Sequence, residues 1–353
     1  MKDNTERALF ALVRAGLWGS EVCLSPFDNP DFDRILILSQ EQAVEGLVTA
    51  GLDHVKDATV PKGIILQFIG QSLQIEQRNA AMNQFIEKLV TEMRTNGIYT
   101  LLVKGQGIAQ CYEKPQWRSS GDVDFFLSND NFDKAKSFLL PLSSGNKPER
   151  GYSKELGMSI GSWYVEIHGS LRTGLSSRVD KVIDEVQGNV FYDGKVRSWM
   201  NRKTQVFLPA PDEDVFFVFT HYVKHFYKEG GVSLRQICDW CRLLWTYKDS
   251  LNHGLLEIRL NKAGLMSEWR GFAAVGVDYF GMPIDAMPLY SKEKKWSRKA
   301  EKIITFILKG GEWRRFQDTL LVGKIFPVST LRFAPGILLN VNWLKVKERL
   351  FKS

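Results

Sequence analysis

The spacing of apolar positions changes twice along the chain. Over residues 1–96 apolar residues recur at helical intervals, in "EQAVEGLVTAGLDHV" and "QIEQRNAAMNQFIEKLVTEMRTNG", and Gly97 stands where a helix would end. The pattern then shortens. "IYTLLVKG" is a compact run of β-formers closed by Gly105, followed by a short helical "GIAQCYEK" and a turn at Pro115. "DVDFFL" predicts a second strand, "NDNFDKAKSFLLPL" a helix opened by Asn and Asp, "SWYVEIHGSL" a third, alternating strand, and "TQVFLPAP" a short further one. From Pro211 the helical period returns: "DEDVFFVFTHYVKHFYKEGG" has an acidic first turn and a glycine end, and "SLRQICDWCRLLWTYKD" a serine cap. The expected fold is α+β, a small mixed-sheet core at 97–210 embedded between an N-terminal helical segment at 1–96 and a larger helical region at 211–353.

The second strand raises a chemical question. Residues i and i+2 of a strand share a face, so Asp122 and Asp124 project side by side while Val123 enters the core. Carboxylates that close raise each other's pKa unless something positive lies between them. Mg²⁺ is the simplest such partner, a hard cation that shares its shell with phosphates. Glu166 in "YVEIH" is the next acid flanked by apolar strand residues, and on a neighbouring strand it supplies a third oxygen, enough for two metals. A D-x-D pair alone is most often a solvated strand edge. Here it sits between "SSG" and "FFL", after "LLVKGQG", whose glycine turn into a helix presents backbone N–H groups to phosphate beside the Lys104 charge.

Other polar residues have rival readings. His168 shares the face of Glu166, and orienting a phosphate and a purely structural role weigh equally for it. His221 and His225 have the i, i+4 spacing of a two-histidine metal face, but "HYVKH" lacks the glutamate of H-E-x-x-H, so packing contacts are expected rather than a protease centre. Cys238 and Cys241 form a C-x-x-C on a helix with only Cys23 and Cys111 elsewhere, which predicts packed thiols rather than zinc or a disulfide framework.

The ensemble "LLVKGQGIAQCYEKPQWRSSGDVDFFL", "VEIHGSL" and "HYVKHFYKEGGVSLRQICDWCRLL" resembles the uncharacterised bacterial nucleotidyltransferase family of the polymerase-β-like nucleotidyltransferase superfamily, over roughly residues 30–345. The resemblance implies a nucleotidyltransferase core that moves an NMP from an NTP to an unidentified hydroxyl acceptor, with Mg²⁺ (or Mn²⁺) and release of pyrophosphate. Asp122, Asp124 and Glu166 would be the metal ligands and catalytic carboxylates, and Lys104, Gly105, Arg118 and His168 would handle the nucleotide; for His221, His225, Arg235 and Asp239 the resemblance allows a polar wall facing the nucleotide, with polar contacts between helices the favoured reading. The superfamily's Gly-Ser is absent, since Gly105 is followed by Gln106. The alternatives are a catalytically inactive NTP-binding module and an RNA-directed transferase.

Charge bears on the last of these. Residues 286–353 carry 15 Lys+Arg against 5 Asp+Glu, so the whole net charge of +7 comes from the tail. The ending "PGILLNVNWLKVKERLFKS" is basic and amphipathic, which permits peripheral membrane or nucleic-acid contact, though docking on the chain's own core is favoured over both. No apolar run reaches the length of a membrane span, and a start without a signal-peptide pattern points to a cytoplasmic protein.

Overall fold

The computed structural model of the chain describes residues 3–58, 60–228, 231–308 and 322–333. It opens with helices α1 (Asn4–Trp18), α2 (Phe32–Glu41), α3 (Glu45–Leu52) and α4 (Lys62–Thr95). The Asp3 side chain caps α1 by accepting from the Thr5 N–H, and Gly19 closes it in the left-handed conformation. The periodicity at 74–97 is the second half of the 34-residue α4, which begins directly after Pro61.

The α/β unit then runs β1 (Leu101–Val103), α5 (Gly105–Ala109), β2 (Asp122–Phe126), α6 (Asn129–Leu139), β3 (Gly145–Asn146), β4 (Glu155–Ile160), β5 (Trp163–His168), α7 (Ser177–Phe191), β6 (Val196–Asn201) and β7 (Thr204–Pro209). Seven strands form one mixed sheet in the order β3-β4-β5-β2-β1-β7-β6. The four strands expected from the sequence are present as β1, β2, β5 and β7. The sheet gains β3, β4, β6 and the helix α7 beyond them. Strand β6 is mostly exposed at the sheet edge, so it carries little hydrophobic alternation to read.

Alternation splits the sheet into two faces. Leu102, Val123, Phe125, Val165 and Ile167 pack against α4 and α6, through residues such as Met82, Ile86 and Phe132. The opposite face carries Leu101, Val103 and Phe126, which join the larger core of the helical half. That half contains α8 (Pro211–Lys228), α9 (Leu234–Tyr247), α10 (His253–Ala263), α11 (Met266–Asp278), α12 (Lys294–Leu308) and a short helix at Pro327–Phe333. Its centre is aromatic: Trp269 lies 4.8 Å from both Phe219 and Trp240, edge to face. Cys238 and Cys241 are buried in this core. Among the described residues no helix is long and apolar enough to cross a membrane, and the basic ending at 335–353 lies outside the described residues.

Close backbone contact packs the first helices on one another and onto the sheet unit. A Cβ on Gly51 would lie 2.1 Å from the Leu12 carbonyl oxygen, and one on Gly46 would lie 2.0 Å from that of Trp117. The second contact holds the segment that leads into Arg118 and β2. Gly46→Ala is therefore expected to lower unfolding free energy by about 1–3 kcal/mol through overpacking, read from urea denaturation; an unchanged midpoint would show that the segment yields freely.

Candidate active site

Strands β2 and β5 run parallel and in register, Asp122 opposite Tyr164, Asp124 opposite Glu166 and Phe126 opposite His168. Opposed residues in adjacent strands share a face, so the Asp124 and Glu166 carboxylates emerge side by side. His168 Nε2 lies 3.0 Å from Asp124 Oδ1 and 3.7 Å from Glu166 Oε2. Ligand atoms of Asp124, Glu166 and His168 all fall within 4.8 Å of one another, the one such His/Cys/Asp/Glu group among the described residues. Asp122 points to the same face one pleat away and lines the cleft beside them.

Asp124 is 2% exposed, which makes its charge expensive unless it is paired. Lys104 supplies the pairing, with Nζ 2.8 Å from Asp124 Oδ1. To do so the backbone leaves β1 through two positive φ angles, +60° at Lys104 and +43° at Gly105. At Lys104 ψ is −149°, a combination almost confined to glycine that costs a bulkier residue of order 1–3 kcal/mol. Burial by itself raises the Asp124 carboxyl, but the Lys104 charge and the His168 hydrogen bond outweigh it and hold it well below the usual carboxylate range. Glu166 goes the other way, raised first by burial and then by the Asp124 charge. Burial pulls the Lys104 ammonium down, yet Asp124 and then Asp122 overcome this and leave it raised.

Helix α8 closes the site from above. His221 Nε2 sits 3.4 Å from Lys104 Nζ and 2.9 Å from His225 Nε2. Burial, reinforced by Lys104, lowers the His221 pKa far below its ordinary value, so the ring is neutral and able to accept from the ammonium. Both histidines face the cleft instead of packing between helices.

The side wall is a buried ion pair. Arg118 donates through Nε and Nη2 to the two Asp239 oxygens at 2.7 Å each, and Tyr112 donates to Asp239 Oδ1 at 2.7 Å. Its Nη1 donates to Ser120 Oγ at 2.9 Å and to the Ser119 carbonyl at 3.3 Å, so all three guanidinium nitrogens of Arg118 are engaged inside the protein. Next to it on α9, Arg235 donates one hydrogen bond, to the Ser119 carbonyl at 3.0 Å, and its buried Nε has no partner. Burial and then the neighbouring Arg118 lower the Arg235 pKa. Gln106, which follows Gly105, turns into the core and donates to Asn79 Oδ1 at 2.8 Å and Ser120 Oγ at 3.1 Å.

The resulting cleft has two lobes that share Lys104, Asp122, His221 and His225. One encloses about 600 Å³ of space, open solvent included, and adds Gly105, Arg118, Arg235 and the apolar Ile108, Val218 and Tyr222. The other, about 830 Å³ on the same measure, adds Glu166, His168 and several cations from the β3–β4 edge and α7 side.

All seven residues anticipated from the sequence line this cleft. The structure brings Asp124, Glu166, His168 and Lys104 into direct contact, leaves Asp122 beside them, and commits Arg118 to Asp239. Arg235 and the two α8 histidines, for which helix packing was favoured over a polar wall, also face it. Their legible signals are the i, i+4 spacing of the histidines and, on α9, Arg235 with Asp239 set between Cys238 and Trp240. Lys147 carried no signal.

No curated protein and no solved structure matches the chain. A family described as uncharacterised nucleotidyltransferase matches residues 28–275, from just before α2 through most of α11, and so spans every residue of the cleft. The match stops short of α12, whereas the resemblance in the sequence was expected to run to about residue 345. By the extent of this match and the opposed carboxylates it contains, the chain belongs to the uncharacterised nucleotidyltransferase family.

Proposed function

We propose that the chain transfers a nucleoside monophosphate from an NTP to a hydroxyl acceptor with release of pyrophosphate. The observation that carries this reading is the opposition of Asp124 and Glu166 across parallel strands in a chain of nucleotidyltransferase family. The donor set suits a divalent ion, because two carboxylates and an imidazole converge and the Lys104 ammonium already holds a cation's place at Asp124. Asp124 and Glu166 would hold it, with Asp122 completing an all-oxygen set for Mg²⁺ and His168 favouring Mn²⁺. Bound there, such an ion would supply charge neutralisation for the leaving pyrophosphate and a lowered pKa for the acceptor hydroxyl.

The chain's own groups do the rest. Arg235, with donors to spare, and Lys104 bind phosphate oxygens. His168 orients the Asp124 carboxylate through its 3.0 Å hydrogen bond. Glu166, its pKa raised, takes the acceptor's proton as the new oxygen–phosphorus bond forms and the bond from the α-phosphorus to the pyrophosphate oxygen breaks. A second reading, a site that binds NTP without chemistry, draws on the Lys104 ammonium already satisfying Asp124. It requires nucleotide binding that ignores divalent ions and yields no product.

Asp124→Asn is expected to keep the fold, by circular dichroism, and to lower nucleotide transfer by about 10²–10³-fold or more, the scale of losing one preorganised electrostatic contact. A wild-type rate of pyrophosphate release in that variant would refute the site. Lys104→Met separates the two readings. It should tighten Mn²⁺ binding severalfold in calorimetry, because an internal competitor is gone, and weaken NTP binding by about 10–100-fold through loss of a charged hydrogen-bond donor. Unchanged Mn²⁺ affinity would favour the metal-free reading.

A further inference from the structure

The second lobe of the cleft differs chemically from the first. Besides Lys104 it is lined by Lys147, Arg150, Arg172 and Lys224, against Asp122, Glu155 and Glu166 as its acids. Arg150 pairs with Glu155 at 3.0 Å, and Arg172 is anchored from behind by Asp184, through Nε at 2.8 Å and Nη2 at 2.6 Å. Asp184 itself does not line the lobe, and the pair engages Nε and Nη2 but not Nη1, so it fixes the guanidinium and leaves Nη1 uncommitted to that carboxylate. Lys147 has no carboxylate partner among the described residues. Its ammonium lies 4.8 Å from the centre of the Tyr164 ring, and its backbone N–H donates to the Gly157 carbonyl. Gly157 is the register partner of Glu166. Lys147 is thus two strand spacings from Glu166, roughly 10 Å between backbones.

The first lobe has the Arg235 guanidinium for phosphate and the apolar Ile108, Val218 and Tyr222 for a nucleoside, and none of these reaches the second. Resting on the nucleotidyl-transfer reading, we propose that the second lobe binds the acceptor and that this acceptor is a small anion. It is a hydroxyl compound carrying a phosphate or phosphate-like group, its hydroxyl at Glu166 and its charge at Lys147 and Arg172. A neutral acceptor would leave the cationic side of this lobe without a counter-charge from the ligand. An anionic one satisfies them and sets the hydroxyl's distance from the carboxylate.

Inorganic phosphate is the probe, titrated by calorimetry into full-length protein saturated with a non-hydrolysable NTP and Mn²⁺, so that the first lobe is filled. Phosphate should bind at one site per chain. Lys147→Gln should weaken it by at least about fivefold, and Lys147→Arg should retain it, with NTP affinity unchanged within about twofold in both. Failure of phosphate to bind the nucleotide-loaded protein overturns the proposal. So does a Lys147→Gln variant that weakens NTP instead, since the lobe would then hold the triphosphate. Protein that binds no NTP under any condition refutes nucleotidyl transfer itself, and the acceptor assignment with it.

Discussion

An ionised carboxylate on a central strand, almost wholly removed from water, is the constraint around which the site is built. Asp124 cannot remain charged there on burial alone. The fold meets the demand from three directions: Lys104 from the end of β1, His168 from the parallel neighbour β5, and the neutral His221 of α8, which accepts from Lys104 and crowds no further positive charge onto it. Each contribution has a structural cost. The most visible is the glycine-like backbone at Lys104, which persists because its ammonium is held between Asp124 and α8.

A second buried charge pair explains why sheet and helices form one cleft. Arg118 leads into β2 and Asp239 lies on α9, so their bidentate contact ties the carboxylate strand to the helical half, and Tyr112 closes the third side. Breaking either partner would leave a desolvated charge, a larger loss than the pair gains by forming. Asn79 of α4 reinforces the same corner by donating to the carbonyls of Gln116 and Arg118 at 2.7 and 2.8 Å. Gln106 joins this network, which accounts physically for a glutamine after Gly105: the position serves the core that braces β2.

Much of this organisation was legible beforehand. The change of period near residue 97 and its return at Pro211 mark where helices give way to sheet and resume, because a strand and a helix repeat their buried positions at different intervals. The i, i+2 spacing put Asp122 and Asp124 on one face, and likewise Glu166 and His168. Strands β3, β4 and β6 and helix α7 escaped, β6 because an exposed edge strand needs no apolar alternation.

The chain by itself determined which side chains share a face, since that follows from local backbone geometry alone. Which of them meet was decided by pairing between strands some forty residues apart: the parallel register of β2 and β5 sets Asp124 against Glu166 and brings His168 to the same point, leaving Asp122 one pleat aside. Partner choice among the cations was likewise tertiary. Arg118 went to Asp239 and left Arg235 with open donors because α9 packs against the loop before β2, a contact no spacing along the chain encodes.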